Sequence, residues 1–345
     1  SRTKDPDGVT ISTGSVGLGA AATIFGALTQ RYVRDHFGSR TPGRYIALGG
    51  DAEIDEGNVP EALGEASAYG LSDLWWIVDI NRQSLDHIAP EGQVVQIARM
   101  FEAKGWEVIW LKYGSKQRAF FERPHGHWLQ QWIDDCTNAE YQSLLNADGA
   151  EIRRAMLEWG VGIEADIAPL LADVDDATLK ELLMNLGGHD IAQILQAFAT
   201  AAKIEDRPVV IMAYTIKGWG LPIAGHIDNH AAQLTQAHIV AMQERLGIAD
   251  GHEWDSYDAA DPIAQWIRQM QRQLMVPQPL SPAAPVTPWP LCVPGILGIR
   301  IPERASTQGA FGHILVALSD IKEVAARLVT TSPDVAVSTN LANWI

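Results

Sequence analysis

Cysteine is scarce in this chain, whose 345 residues include only Cys136 and Cys292. Two distant cysteines exclude the disulfide framework of a small secreted domain and favour a reducing, cytoplasmic environment. No apolar run approaches the ~18 residues that a membrane-spanning helix needs, and the first residues lack the pattern of a signal peptide. We therefore expect neither a membrane association nor a secretory leader.

Positive charge is also sparse. The chain has 26 lysines and arginines against 42 aspartates and glutamates, which makes a formal net charge of −16. Nucleic acids and anionic membranes attract clustered lysine and arginine, so this balance excludes both as expected partners. An anionic ligand would have to be held by backbone N–H groups, by a helix N-terminus or by a metal ion.

The chain does contain four short runs rich in β-branched and aromatic residues, which predict buried strands at 44–50, 74–80, 106–111 and 208–215. Helical patterns lie between these runs, as at 17–36 and 60–70. Strands that alternate with helices are typical of an α/β fold with a doubly wound parallel sheet flanked by helices. The region 115–200 is predicted to be mostly helical, with Asp190 as a helix N-cap.

Proline separates two regions of the chain. Residues 276–304 hold eight prolines, which neither a helix nor a central strand tolerates, so we expect an interdomain linker there. The main domain is predicted over 1–275. A capped helix and a strand at 327–335 are predicted to begin a second domain over 305–345. Its ~40 residues are too few for a separate core, so this domain is expected to be truncated.

Glycines and polar residues follow three of the predicted strands, as in Gly50-Asp51 and Asn81-Arg82-Gln83. Ligands of open parallel sheets bind beyond the carboxyl ends of the strands. Asp51 and Asn81 are 30 positions apart, which fits one crossover between adjacent strands. A carboxylate and an amide oxygen side by side suit Mg²⁺ or Ca²⁺ with a phosphate. The alternative is that Asp51 caps a helix and Asn81 makes a turn; the spacing does not decide between them.

The segment "GDAEIDEGN", followed by Asn81, resembles the thiamine diphosphate motif of the transketolase superfamily. Segments "STGSVGLG" (12–19), "GGHD" (187–190) and "YTIKGWG" (214–220) are also similar to that family. Together with "NAEYQSLL" (138–145), they most resemble the homodimeric decarboxylase component of bacterial pyruvate dehydrogenase complexes. Two departures stand out, because Ala52 occupies the place of a glycine and Asp79 that of an asparagine.

This resemblance implies thiamine diphosphate and Mg²⁺ as cofactors. Side chains of Asp51 and Asn81 and the backbone carbonyl of Gln83 would hold the metal. The residues that would contact the cofactor are Gly14, Val16, Gly50, Ala52, Glu53, Asn81 and Lys217. For Gly14 and Val16, close packing of a helix on the sheet is the alternative, and for Lys217 it is a solvated loop position.

Two histidines follow the fourth predicted strand, His226 and His230. The resemblance implies a catalytic histidine in this loop, and His230 is the better match, with His226 as the second candidate. His189 either borders the site or has a structural role beside Asp190. His125 and His127 have a spacing found in zinc sites, but no further ligands complete a tetrahedral set, so we interpret them as loop residues.

As a function, the resemblance implies oxidative decarboxylation of a 2-oxo acid, with pyruvate preferred, and acyl transfer to the lipoyl group of an acyltransferase component. Family members form their site between subunits, so we expect a homodimer or a complementary chain that carries the pyrimidine-binding domain. Residues 1–345 alone, as a fragment or a split subunit, are expected to be inactive. Two alternatives remain, transketolase-type ketol transfer between sugar phosphates and a non-catalytic subunit of such a complex.

Overall fold

The computed structural model describes residues 12–37, 43–84, 87–160, 162, 164–274, 298–331 and 336–344. The chain forms two compact units, Ser1–Glu253 and Trp254–Ile345. The proline-rich stretch predicted as a linker lies mostly outside the described residues. Among those that are described, no helix combines the length and the hydrophobicity required to cross a membrane.

The first unit is built on a parallel sheet. The strands of this unit are β1 (Tyr45–Gly50), β2 (Leu74–Ile80), β3 (Gln83–Ser84), β4 (His87–Ile88), β5 (Glu107–Leu111) and β6 (Val209–Tyr214). The order β1-β2-β6-β5 is parallel throughout, whereas β3 and β4 form a small antiparallel ladder. All four predicted strands are confirmed, because each apolar run is long enough to cross a buried sheet.

Helices connect and flank these strands. In the first unit they are α1 (Leu18–Phe37), α2 (Asn58–Ala68), α3 (Gln93–Ala103), α4 (Ser115–Phe121), α5 (His127–Asp135), α6 (Asn138–Leu144), α7 (Gly149–Trp159), α8 (Glu164–Ala172), α9 (Asp176–Met184), α10 (Ile191–Ala201) and α11 (Gln236–Leu246). Asp190 caps α10 by accepting the N–H of Gln193, as predicted. Short 3₁₀ turns span Asp51–Asp55, Gly187–His189 and Ile227–His230.

Apolar side chains pack against both faces of the sheet, which confirms the doubly wound α/β fold. On one face Trp76 packs edge-on against Trp106 and Phe101, with ring centroids 5.2 and 5.9 Å apart. On the other face α10 sets Phe198 against Trp75. Burial of these large aromatic rings supplies much of the hydrophobic stabilisation of the unit.

Strand β1 lies at one edge of the described sheet. Its alternate residues Ile46 and Leu48 are 50% and 74% exposed, while the residues between them face the core side. Among the described residues, the helices on this face of the sheet therefore do not cover the side chains of Ile46 and Leu48.

The second unit contains α12 (Pro262–Leu274), α13 (Thr307–Ser319) and α14 (Lys322–Ala325). Ser306 caps α13 by accepting the N–H of Gly309 at 3.0 Å, as the sequence indicated. The strand predicted at 327–335 is wrong in its described part, because residues 327–331 make no ladder pairing. A strand needs a neighbouring strand to hydrogen-bond with, and the described part of this unit offers none.

Candidate functional site at the carboxyl ends of the strands

Asp51 is the first residue after β1 and begins a 3₁₀ turn instead of capping α2. Its side chain is 2% exposed, and Oδ1 accepts the N–H of Ala52 at 2.9 Å. The second carboxylate oxygen, Oδ2, is buried without a hydrogen-bond partner. Burial, assisted by the nearby charge of Asp79, raises the pKa of Asp51 to about 6. This carboxylate therefore lacks the partner that a buried negative charge requires.

Asn81 follows the neighbouring strand β2. The register pairs Gly50 of β1 with Asp79 of β2, so the chain continues into Asp51 and Asn81 at adjacent strand ends. The Asn81 side-chain oxygen accepts the N–H of Gln83 at 3.0 Å, which closes a tight turn. The turn considered from the sequence is thus present, and an amide oxygen retains a second lone pair for another partner.

These groups fit a hard divalent cation. The orphaned oxygen of Asp51, the amide oxygen of Asn81 and the carbonyls of the Asn81–Gln83 turn are all oxygen donors, which Mg²⁺ prefers. A cation would also offset the buried charge of Asp51. Across the described residues, no group of three or more His, Cys, Asp or Glu side chains could hold a metal. The interpretation of His125 and His127 as loop residues is wrong for His127, which begins α5.

The glycine-rich turn before α1 approaches the same region. Gly17 donates its N–H to Oε1 of Glu53 at 3.1 Å, which joins this turn to the one that follows β1. Val16 is exposed, and a Cβ at Gly14 or Gly50 would meet no atom within 4 Å. Glu53 is therefore engaged with protein, whereas Gly14, Val16 and Gly50 border open space that a ligand can occupy.

Lys217 begins the loop that follows β6. Its backbone carbonyl accepts the N–H of Gly225 at 2.9 Å and the side-chain amide of Asn229 at 3.0 Å. The side chain of Lys217 is half-buried, which is more than a freely solvated loop lysine would show. Lys217 thus anchors the loop through its backbone.

His226 and His230 flank the 3₁₀ turn of this loop, and both side chains are exposed. Nδ1 of His226 accepts the N–H of Asp228 at 3.2 Å, so His226 caps the turn. The sequence did not predict this local role. His230 is the last residue of the turn.

Two residues near the strand ends, Arg82 and His189, were not assigned a definite role from the sequence. Arg82, between Asn81 and Gln83, is 5% exposed and has a left-handed φ of 62°. Its guanidinium carbon lies 3.7 Å from the ring centroid of Tyr141, and its Nη1 is buried without a partner. An arginine between two polar residues carries no sequence signal for such burial.

His189 is the second. Its Nε2 accepts the N–H of Ile216 at 2.8 Å, and its ring stacks on Trp219 with centroids 4.3 Å apart. Burial lowers the pKa of His189, partly opposed by Asp79. The neutral ring therefore carries its proton on Nδ1 and supports the backbone after β6, a structural role other than the one beside Asp190 that the sequence suggested. His189 and Trp219 also line a cavity of about 440 Å³.

Several known proteins are similar to this chain in sequence. The pyruvate dehydrogenase E1 component of Cupriavidus necator is 27% identical over 95% of this chain and 38% of that protein. That of Corynebacterium glutamicum is 26% identical over 96% of the chain and 37% of the relative, and that of Escherichia coli is 30% identical over 65% and 25%. The chain thus spans well under half the length of these relatives.

Solved structures with a similar fold include the transketolases of Leishmania mexicana and Campylobacter jejuni. Their TM-scores are 0.55 and 0.54 at 19% identity, covering 98% and 97% of this chain and 42% of each transketolase. The family model described as transketolase, thiamine diphosphate binding domain matches residues 2–122 and 176–272. This match covers more than half of the chain, which therefore belongs to the thiamine diphosphate-dependent transketolase superfamily, near the pyruvate dehydrogenase E1 component.

Proposed function

We propose that this chain takes part in the oxidative decarboxylation of a 2-oxo acid, with pyruvate as the preferred substrate and a lipoyl group as the acyl acceptor. The observation that carries the proposal is the buried carboxylate of Asp51, whose unpartnered oxygen lies at the carboxyl ends of two adjacent strands. The relatives named pyruvate dehydrogenase E1 component favour this substrate class.

In this proposal, Asp51, Asn81 and the carbonyl of Gln83 would hold Mg²⁺, and the ion would offset the negative charge of the diphosphate of thiamine diphosphate. When bound, the cofactor supplies a positively charged thiazolium ring that accepts the electron pair released as CO₂ leaves. The other residues proposed to border the cofactor are Gly14, Val16, Gly50, Ala52, Glu53 and Lys217. A Cβ at Gly14 or Gly50 would meet no protein atom within 4 Å, which leaves room for a ligand at the strand ends.

His230 is proposed to move protons at its imidazole nitrogens while the lipoyl disulfide is reduced and accepts the acyl group. Histidine suits this task because its usual pKa, near ~6.5, lets it donate and accept protons at neutral pH. Its exposure leaves the ring accessible to an incoming lipoyl arm. His226 is proposed to contribute mainly through its cap of the turn that carries His230.

The domain assignment is part of this proposal. Residues 1–275 would form the diphosphate-binding domain, 276–304 the linker and 305–345 the beginning of a pyrimidine-binding domain. A homodimer or a complementary chain would supply the remainder of the site, and an acyltransferase component would carry the lipoyl group. The short share of each relative that the chain covers, 38% or less for the three relatives above, is consistent with these additional parts.

The proposal is tested by assaying the full-length protein with thiamine diphosphate, Mg²⁺ and a redox dye. We expect dye reduction with pyruvate or another 2-oxo acid and none with xylulose 5-phosphate. Turnover of xylulose 5-phosphate alone would favour ketol transfer instead. A folded protein that binds the cofactor and turns over neither substrate class would favour a non-catalytic subunit.

A further inference from the structure

The loop that carries His226 and His230 is held by side-chain amides from two other parts of the chain. Nε2 of Gln83 donates to the carbonyl of His226 at 3.3 Å, and Nε2 of Gln142 donates to the carbonyl of Gly225. Consecutive carbonyls of the loop are thus bound by two glutamines, which we call the carboxamide clamp (Gln83 and Gln142).

Both members of the clamp are removed from water. Gln83 is 3% exposed and Gln142 is 7% exposed, and the amide oxygen of each is buried without a partner. A buried amide with one unmade hydrogen bond costs free energy, unlike an apolar side chain of similar size. The bonds to the loop carbonyls are therefore the interactions that these two glutamines provide to the protein.

Gln142 gives the clamp a firm support. It lies on α6, whose first turn is closed by a capping box between Thr137 and Glu140. The neighbouring Tyr141 donates its hydroxyl to the carbonyl of Leu183 at 2.8 Å and is buried. α6 is thereby fixed at its N-terminus and along its buried face, so the carbonyl of Gly225 is held against a rigid element.

Gln83 connects the clamp to the cation site. Its backbone N–H donates to the side-chain oxygen of Asn81, and its side chain reaches His226, which is 143 positions away in the sequence. A single residue therefore contacts both the proposed metal ligand Asn81 and the histidine loop. Any ligand that orders the Asn81–Gln83 turn also orders the side chain that holds His226.

We propose that Gln83 and Gln142 are positioning residues that hold the segment 225–230 in place, and that Gln83 transmits cofactor binding to this segment. The coupling rests on the function proposed above, since it requires Mg²⁺ and thiamine diphosphate at Asn81 and Gln83. The proposal that the two glutamines hold the loop does not depend on the proposed function.

Hydrogen exchange of the backbone amides at 221–230 tests both parts in the full-length protein. Without cofactor, Gln83→Leu and Gln142→Leu should each raise the exchange rate of this segment roughly tenfold, the effect of losing about one hydrogen bond from a local opening equilibrium. Gln117→Leu is the matched control. Gln117 is also a buried glutamine with one carbonyl partner and an unpartnered oxygen, but it binds Leu182, outside the histidine loop.

With saturating Mg²⁺ and thiamine diphosphate, the wild-type segment should become more protected, and Gln83→Leu should lose this gain even when the variant is saturated with cofactor. Gln83→Glu is a second variant of the same shape whose ionised side chain only accepts hydrogen bonds, so it should behave like Gln83→Leu. With saturating cofactor, kcat of both variants should fall more than KM rises, because the loop is misplaced.

Unchanged exchange in the folded glutamine variants would overturn the clamp. Equal cofactor-induced protection in Gln83→Leu and the wild type would overturn the coupling. A wild-type protein that does not bind the cofactor would overturn the proposed function and the coupling together. Hydrogen exchange of the wild type and the glutamine variants without cofactor would still test the clamp.

Discussion

The backbone N–H of Gly17 donates to Oε1 of Glu53 over 3.1 Å, although the two residues are 36 positions apart. This bond ties the turn that enters α1 to the turn that follows β1. Gly17 has a φ of +82°, and a Cβ there would lie 2.6 Å from Oδ1 of Asn58. A left-handed glycine therefore sets the distance between the two turns that border the candidate site.

We expect Gly17→Ala to lower the free energy of unfolding by about 1–3 kcal/mol, because the new methyl group meets both strain and a clash. Gly14→Ala is the matched control, since a Cβ there meets no protein atom within 4 Å. Its stability should be unchanged, whereas its affinity for thiamine diphosphate should fall. Urea unfolding and cofactor titration measure the two effects; equal stability of both variants would contradict the assignment of strain to Gly17.

The raised pKa of Asp51 predicts a pH dependence of cofactor binding. Because the carboxyl titrates at about 6 and Mg²⁺ needs the ionised form, affinity for the cofactor with Mg²⁺ should weaken as the pH falls through about 6. Asp51→Asn should abolish Mg²⁺-dependent binding at neutral pH. The exposed Asp55 offers a control, and Asp55→Asn should bind normally. Calorimetry at several pH values provides the test, and unchanged affinity in a folded Asp51→Asn protein would refute the metal assignment.

The same carboxyl affects stability in the metal-free protein. Its folded pKa lies above the ordinary 3.8, so its contribution to stability is fully present below about pH 4 and is lost as the pH rises to about 6. The cost of the ionised form is on the order of 3 kcal/mol at neutral pH. The difference in unfolding free energy between wild type and Asp51→Asn should therefore change between pH 4 and 6 and stay constant above that range.

His189 predicts a dependence of the opposite sign. Burial lowers its pKa below the usual 6.5, so its contribution to stability is present above about pH 6.5 and is lost as the pH falls through the lowered value. His189→Phe keeps a ring against Trp219 but leaves the N–H of Ile216 without its acceptor. We expect a loss of roughly 1–3 kcal/mol at pH 7.5 and a weaker acid sensitivity.

A matched control for this experiment is His36→Phe. His36 is exposed and stacks on Tyr32 with centroids 4.0 Å apart, so the same substitution removes no buried acceptor. Thermal unfolding at pH 5.5 and 7.5 measures both variants. A His189→Phe protein as stable as His36→Phe at pH 7.5 would contradict the supporting role of the His189 imidazole.

His230→Ala should retain cofactor affinity and slow acyl transfer to a lipoyl acceptor by roughly 10²–10⁴-fold, the usual contribution of a positioned acid or base. His226→Ala should have a much smaller effect, because its side-chain contacts are local ones to the N–H and the carboxylate of Asp228. Stopped-flow measurement of lipoyl reduction distinguishes the two. If His226→Ala is the more damaged variant, the assignment of the two histidines is reversed, and if neither variant is slowed, the loop is not catalytic.

The sheet was predictable because each strand coincides with a short run dominated by apolar residues, such as 74–80, and the helices between them have clear starts, such as Asp190. The strand expected at 327–335 failed in its described part, because β-branched residues alone do not provide a pairing partner. Local composition decides whether a segment prefers to be extended, and only tertiary contacts decide whether it joins a sheet.

In the candidate site, too, only part of the arrangement could be predicted from the sequence. The proximity of Asp51 and Asn81 was predictable, because parallel strands deliver their ends to one edge. The burial of Arg82 over Tyr141 and the bond from Gln83 to the carbonyl of His226 were not. Each depends on where α6 or the loop after β6 comes to lie, and no short-range pattern encodes contacts over such sequence distances.

Among the residues that the structure describes, nothing covers the outer side of Ile46 and Leu48 on β1, and this has a practical consequence for handling the chain by itself. An edge strand with exposed Ile46 and Leu48 offers both open backbone groups and an apolar surface to a second molecule, which is the arrangement that nucleates aggregation. A charged residue at position 48 would oppose such association between molecules. Leu48→Lys should therefore keep the isolated chain in solution at concentrations where the unmodified chain precipitates.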